Sequence, residues 1–231
     1  MEEKILILDF GSQYTQLIAR RIRELNIYCE IFPFNKIPEI TSEYFGIILS
    51  GSPFSVHDKD SPKIEFEKFN DLPVLGICYG AQLIANFNNS VIEKSKIREY
   101  GRAKLSYVDS ENILMKGVKS NSDVWMSHGD SITKISNSFK ILASTKDVKV
   151  TSYFLKNKNY YGLQFHPEVT HTEFGKKILK NFSVDICGCS QSWNSEKFVE
   201  YTVKQIRNIV KNDRVILGLS GGVDSSVAAM L

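Results

Sequence analysis

The residue best placed to do chemistry is Cys78, in the stretch Pro73-Val74-Leu75-Gly76-Ile77-Cys78-Tyr79-Gly80-Ala81-Gln82. The apolar run Val74, Leu75, Ile77 predicts a buried strand, Cys78-Tyr79-Gly80 a sharp turn, and residues 81–86 a helix. A nucleophile on a strand–turn–helix, with a glycine two residues to either side, has the pattern of a nucleophile elbow. Gly76 and Gly80 lack a Cβ, so the chain can turn tightly there. The helix N-terminus then points at the sulfur and favours the thiolate. Taken alone, Cys78 could equally be a buried structural thiol. A cysteine nucleophile also needs a base, and the base an orienting acceptor. The stretch Tyr160-Tyr161-Gly162-Leu163-Gln164-Phe165-His166-Pro167-Glu168 supplies both at the end of an expected strand. His166 can take the thiol proton, Glu168 can hold the imidazole tautomer, and Pro167 limits their relative placement. A third stretch, residues 44–53, is an apolar strand entering Ser50-Gly51-Ser52-Pro53, where backbone N–H groups could form an oxyanion hole. One such donor is worth ~10²–10³ in rate.

The elements that must position these groups alternate. Residues 4–10 form an apolar strand turned by Gly11-Ser12-Gln13. Residues 15–26 form a helix with Leu17, Ile18, Ile22 and Leu25 on one side. Strands follow at 28–34 and 46–51, then a polar loop at 52–62, a short helix at 63–70 and the cysteine strand. Strand–helix–strand alternation at this spacing predicts a doubly wound, mostly parallel α/β sheet, flavodoxin-like, with the site at the carboxyl ends of its strands. From residue 91 the pattern changes to an added antiparallel portion. Strands are expected at 104–108, 124–127 and 141–144, with a hairpin of 148–155 and 160–166 about Lys156-Asn157-Lys158-Asn159. Thr170-His171-Thr172-Glu173 reads as a capping box opening a helix. His171 is expected in its first turn at the surface, and His57 as a solvated loop residue.

Together with His166-Pro167-Glu168, the motif Gly76-Ile77-Cys78-Tyr79-Gly80-Ala81-Gln82 resembles the class I glutamine amidotransferases. Asp9-Phe10-Gly11-Ser12-Gln13-Tyr14, Trp125-Met126-Ser127-His128-Gly129-Asp130 and Ile186-Cys187-Gly188-Cys189 resemble, more narrowly, the glutamine-hydrolysing GMP synthases. The likeness covers essentially the whole chain. It implies that Cys78 attacks the side-chain amide of glutamine and that the N–H groups of Gly51 and Tyr79 hold the oxyanion. It also implies that Gln82, Ser127, His128, Gly129 and Asp130 border the glutamine pocket. The family loop commonly reads Gly-Gly-Pro. Here it is Gly51-Ser52-Pro53, and Ser52 has fewer backbone conformations available than Gly.

The expected boundaries are an amidotransferase domain at 1–187, a linker at 188–194 and a second α/β unit from 195. Residues 195–211 form an amphipathic helix with Phe198, Val199, Thr202, Val203, Ile206, Ile209 and Val210 on one face. Residues 214–219 then read as a buried strand leading into Ser220-Gly221-Gly222-Val223-Asp224-Ser225-Ser226. This is a phosphate cradle of N–H groups and hydroxyls at a helix N-terminus, without the lysine of a Walker A loop. It resembles the pyrophosphate loop of ATP pyrophosphatases, so residues 195–231 are expected to be the truncated first part of such a domain. The resemblance implies ATP and Mg2+ for the full-length synthase, no cofactor for the glutaminase, XMP as the amino acceptor, and a homodimer at full length.

Of the 231 residues, 42% are hydrophobic and 24% charged, as in ordinary globular proteins. The net charge of +3, spread along the chain, argues against a nucleic-acid partner. No apolar run approaches membrane-spanning length. The start enters a strand without a basic n-region or cleavage site, so no signal peptide is expected. Four cysteines in a chain this long are no disulfide framework, and a working thiol suits a reducing cytoplasm. Cys187-Gly188-Cys189 has no further ligands nearby in sequence, so no metal site is expected. Two other possibilities are the glutaminase subunit of anthranilate or aminodeoxychorismate synthase, against which the Ser220–Ser226 loop argues, and a truncated non-catalytic fragment.

Overall fold

The computed structural model describes residues 3–69 and 71–230. They divide into two compact units, Met1–Gln191 and Ser192–Leu231. The first is built on strands β1 (Lys4–Asp9), β2 (Tyr28–Pro33), β3 (Tyr44–Leu49), β4 (Val74–Ile77), β5 (Val91–Val108), β6 (Asp123–Lys134), β7 (Phe139–Thr145), β8 (Ser152–Leu155) and β9 (Tyr160–Leu163). Helices α1 (Thr15–Arg23), α2 (Tyr79–Phe87) and α3 (Gly175–Lys180) complete it, and α3 runs on as a π-helical segment, Asn181–Ile186.

The strands form one mixed sheet in the order β2-β1-β3-β4-β9-β8-β7-β5-β6. Pairing is parallel from β2 to β9 and antiparallel from β9 to β6. Its central strands are apolar on both faces because both faces are covered. Ile5 and Ile7 of β1 join a core with Ile18 and Ile22 of α1 and Ile178 and Leu179 of α3. Leu6 and Leu8, one residue out of phase, join Ala81, Ile84 and Ala85 of α2 on the opposite face.

Two glycines let α2 lie close to the sheet. A Cβ on Gly76 would sit 2.5 Å from the Ala81 nitrogen, and one on Gly80 2.5 Å from the Leu49 oxygen. Alanine normally improves a helix by roughly 1 kcal/mol over glycine. At position 80 the backbone of β3 stands in the way and the sign reverses. Gly80→Ala is expected to destabilise by about 3 kcal/mol, read as a lower urea midpoint, and a midpoint at or above wild type would refute the packing argument.

Several expectations are corrected by the structure. The helix at 63–70 shrinks to a 3-10 turn, Phe66–Phe69, and Asn70 lies outside the described residues. The strands at 104–108 and 124–127 are parts of the much longer β5 and β6, paired from Val91 with Lys134 to Lys104 with Asp123. Their flanks are exposed at Val91 and Tyr100, so backbone pairing rather than an apolar pattern defines them. Thr170-His171-Thr172-Glu173 caps no helix: α3 starts after Phe174 without a side-chain cap. The Thr172 hydroxyl instead donates to the His166 oxygen and accepts from the Trp125 N–H. His171, exposed as expected, lies against the Trp125 ring at 4.5 Å. His57 has a partner after all, its Nε2 being 2.8 Å from the Ile92 oxygen.

In the second unit, α4 (Ser195–Val210) is capped by Asn194, whose side chain accepts from the Lys197 N–H. The strand expected at 214–219 does not form. Val215, Ile216 and Leu219 are exposed, and a strand with no neighbour to pair with has nothing to hold it. Helix α5 (Val223–Met230) follows the glycine-rich loop. No helix among the described residues is long and apolar enough to cross a membrane.

Candidate active site

Cys78 occupies the turn between β4 and α2 at φ 51°, ψ −103°. A non-glycine residue there carries roughly 1–3 kcal/mol of strain and persists only where its surroundings hold it. Three bonds do so. The Cys78 N–H donates to the Leu163 oxygen at 2.7 Å, the Gly80 N–H to the Ser50 oxygen at 3.1 Å, and the Gln82 N–H to the Cys78 oxygen at 3.0 Å. The first ties the elbow to β9, whose Gly162 and Leu163 pair with Gly76 and Ile77. That register brings the chain beyond β9, with Gln164 and His166, beside the elbow.

His166 and Glu168 are both buried, and Nδ1 of the imidazole lies 2.7 Å from the Glu168 Oε1. Arg21 of α1 donates through Nε to the Glu168 backbone oxygen at 2.8 Å and holds that loop down. Tyr14 stands edge-on to the imidazole, with ring centroids 5.0 Å apart. Burial disfavours a charge on His166, but the Glu168 carboxylate and the hydrogen-bonded Cys78 sulfur outweigh it. Together they push the imidazole from 6.5 up to about 10. The base is therefore an imidazolium at neutral pH, paired with the carboxylate and the sulfur. Because the folded value is raised, this charge stabilises the fold fully below pH 6.5, and the contribution fades as pH climbs through about 10. Nitrogen-detected NMR should show His166 protonated throughout pH 6–8. A titration midpoint near 6.5 would contradict the coupling.

Cys78 and His166 open onto a cavity of about 470 Å³ at the carboxyl ends of the parallel strands. Gly51, Tyr79, Gln82, Ser127, His128, Gly129 and Asp130, all singled out from the sequence, line the same cavity, and Glu168 sits behind His166. Tyr79 opens α2, so its N–H belongs to the first turn, which has no intrahelical acceptor. Neither Gly51 nor Ser52 lies at positive φ, so the serine meets no left-handed strain in this conformation. The Cys78 sulfur lies 3.6 Å from the Ser127 oxygen. The loop after β1 is shaped by Asp9, whose Oδ1 accepts from the Gly11 N–H and the Thr15 hydroxyl, and it presents Ser12, Gln13 and Tyr14 to the cavity. Sequence reasoning assigned no role to Tyr14, Arg21, Tyr100 or Gln164. For Gln164 a signal existed: an amide inside an otherwise apolar strand stretch.

The arrangement can perform nucleophilic acyl chemistry: a sulfur on a strained turn, an imidazolium–carboxylate pair beside it, and a polar cavity for an amide. A family model decides the matter. The glutamine amidotransferase class-I model matches residues 6–186. The chain belongs to the class I glutamine amidotransferase family. This amidotransferase chain is 56% identical to the glutamine-hydrolysing GMP synthases of Cytophaga hutchinsonii and Phocaeicola vulgatus. The matches cover all of the chain and 46% and 45% of those proteins, so it spans about half of their length. Among solved structures, it resembles a putative GMP synthase subunit from Thermoplasma acidophilum. That likeness has TM-score 0.68 and 32% identity, covering 87% of this chain and 98% of the other. A glutamine amidotransferase from Thermotoga maritima shares the fold at TM-score 0.61 and 16% identity, over 90% and 93% of the two chains.

The remaining cysteines lie outside the cavity. Burial pushes Cys29 up to about 11 and Cys189 up to about 12, and raises Cys187 well above the usual thiol range. Cys187 packs its sulfur against Gly46. Among the described residues, no group of three His, Cys, Asp or Glu side chains could hold a metal ion. In the second unit, an exposed turn at 220–222, with Gly221 at φ +80°, leads into the first turn of α5 at 223–226. The Ser225 and Ser226 hydroxyls both donate to the Gly222 oxygen.

Proposed function

We propose that this chain is the glutaminase part of a glutamine-hydrolysing GMP synthase. One observation carries the proposal: Cys78, strained at a left-handed turn, shares a cavity with His166, which is paired behind with the buried Glu168. In this mechanism the Cys78 thiolate attacks the side-chain amide carbon of glutamine. The N–H groups of Gly51 and Tyr79 receive the oxyanion, and Gln82 and Ser127 to Asp130 hold the substrate. The tetrahedral intermediate collapses as His166 passes its proton to the leaving nitrogen, releasing ammonia and leaving a thioester on Cys78. His166 then takes a proton from water, whose oxygen attacks the thioester. Glutamate departs and the thiolate returns. Glutamine and water have become glutamate and ammonia. Glu168 keeps the imidazole oriented through both halves.

In the longer protein the ammonia aminates XMP to GMP, in a ligase of purine biosynthesis that acts in the cytoplasm as a homodimer. Residues 195–231 open its ATP pyrophosphatase domain. The Ser220–Ser226 loop fits a polyphosphate: Gly221 takes a conformation closed to most side chains, three hydroxyls cluster, and α5 begins at Val223. Its only carboxylate is Asp224, which could contribute one oxygen to Mg2+. When bound, ATP would supply the activation of XMP that lets ammonia displace oxygen.

The test is labelling by a diazo-ketone analogue of glutamine, followed by peptide mass mapping. A single label on the Cys78 peptide, blocked by glutamine and not by asparagine, is expected. Label on Cys29, Cys187 or Cys189 would overturn the proposal.

A further inference from the structure

Gln164 is buried to 1% exposure, and its Nε2 lies 3.8 Å from the Cys78 sulfur. The orientation of this amide is set elsewhere. The Asp130 backbone oxygen of β6 can only accept, so the group 2.8 Å from it, on Gln82, must be the amide nitrogen. That nitrogen has a second N–H, which meets Gln164 at 3.3 Å. The Gln164 atom facing it must therefore be the oxygen, and the Gln164 nitrogen must face the sulfur. The direction follows from the acceptor at the end of the chain and not from telling oxygen from nitrogen at either amide. Gln82 is also buried, at 3% exposure, so water does not compete for these groups.

We infer that Gln164 is a positioning residue for the Cys78 sulfur, its N–H aimed there by a two-amide relay from the Asp130 carbonyl through Gln82. The inference rests on Cys78 being the nucleophile. The sulfur has a carbonyl, Ser127, on one side and this amide donor on another. A carbonyl oxygen disfavours the thiolate and an N–H favours it, so Gln164 offsets Ser127. The register places Gln164 there: it follows Leu163, which pairs with Ile77, as Cys78 follows Ile77. The relay also couples the nucleophile to Gln82 and Asp130, both in the wall of the substrate cavity. Other titratable groups around the sulfur are His166 and Glu168 after β9, His128 and Asp130 of β6, Tyr14 of the first loop, Tyr79 of α2 and Tyr100 of β5. All of them stay in place in the variants below.

The experiment is the rate of Cys78 alkylation by iodoacetamide against pH, read on the Cys78 peptide by mass spectrometry. Gln164→Leu deletes the donor. It should slow alkylation at pH 7 by about 10-fold and move the whole profile to higher pH, as expected for loss of a hydrogen bond to a charged group. Gln164→Met keeps the length and bulk of the side chain, adds no charge and has no N–H to offer the sulfur. It should move the profile as far, and it decides the question if the leucine variant does not fold. A purely structural role would lower the melting temperature and leave the profile where it was. A profile coincident with wild type in either folded variant overturns the inference. Ammonia release that survives Cys78→Ala would instead overturn the nucleophile assignment itself, a distinguishable failure.

Discussion

Cys78→Ala should abolish ammonia release from glutamine, a fall of ~10⁴-fold or more, because a methyl group has no attacking atom and no other group in the cavity replaces it. The variant should fold, since Cys78 is small and its elbow is held by backbone bonds from Leu163, Ser50 and Gln82. The other three thiols are poor candidates for rescue. Burial holds Cys29 at about 11, Cys189 at about 12 and Cys187 well above the usual thiol range, so none offers appreciable thiolate at neutral pH. On the proposed function, the longer protein carrying the same substitution should fail to form GMP with glutamine and still form it with added ammonium. Glutamine hydrolysis within tenfold of wild type would sink the assignment. Loss of both activities would mean that the elbow also governs the second reaction.

His166→Ala should cost roughly 10²-fold more rate than Glu168→Gln, because the two groups do different work. His166 handles the proton in both halves of the reaction. Without it the sulfur loses its cationic partner and the leaving nitrogen its acid. Glu168 touches neither substrate nor sulfur; it sits behind the imidazole, fully buried, and holds Nδ1 at 2.7 Å. A glutamine there can still turn its oxygen to the Nδ1–H, so part of the orientation survives while the charge is lost. The imidazole should then fall from about 10 back towards its ordinary 6.5, and the acid limb of the rate profile should move with it. Equal losses for the two variants at every pH would show that the roles are wrongly divided.

Much of this site was legible in the sequence because it is written in local sterics. A strand, a left-handed turn and a helix over ten residues need glycines where backbones meet, and Gly76 and Gly80 stand where α2 lies on β4 and β3. His166 and Glu168 are two residues apart, so their 2.7 Å contact needs little beyond a turn at Pro167. The alternation of Ile5, Leu6, Ile7 and Leu8 announced a strand covered on both faces, and the structure divides those side chains between two cores. What tertiary structure alone decided is how distant stretches meet. Nothing near Cys78 specifies that β9 will be its neighbour. The pairing of Gly76 with Gly162 does so, and it sets His166 and Gln164 beside the sulfur. The length of β5 and β6 escaped prediction because backbone pairing defines them, and the buried positions of β6 include the polar His128, Asp130 and Ser131, which break any apolar signal. The converse holds at 214–219, where an apolar run that reads as a strand stays unpaired. A β-pattern states a preference, and only a partner supplies the hydrogen bonds that turn it into a strand. The direction of the Gln82–Gln164 relay is likewise a tertiary decision, since an amide has no preferred end until a carbonyl such as that of Asp130 chooses one.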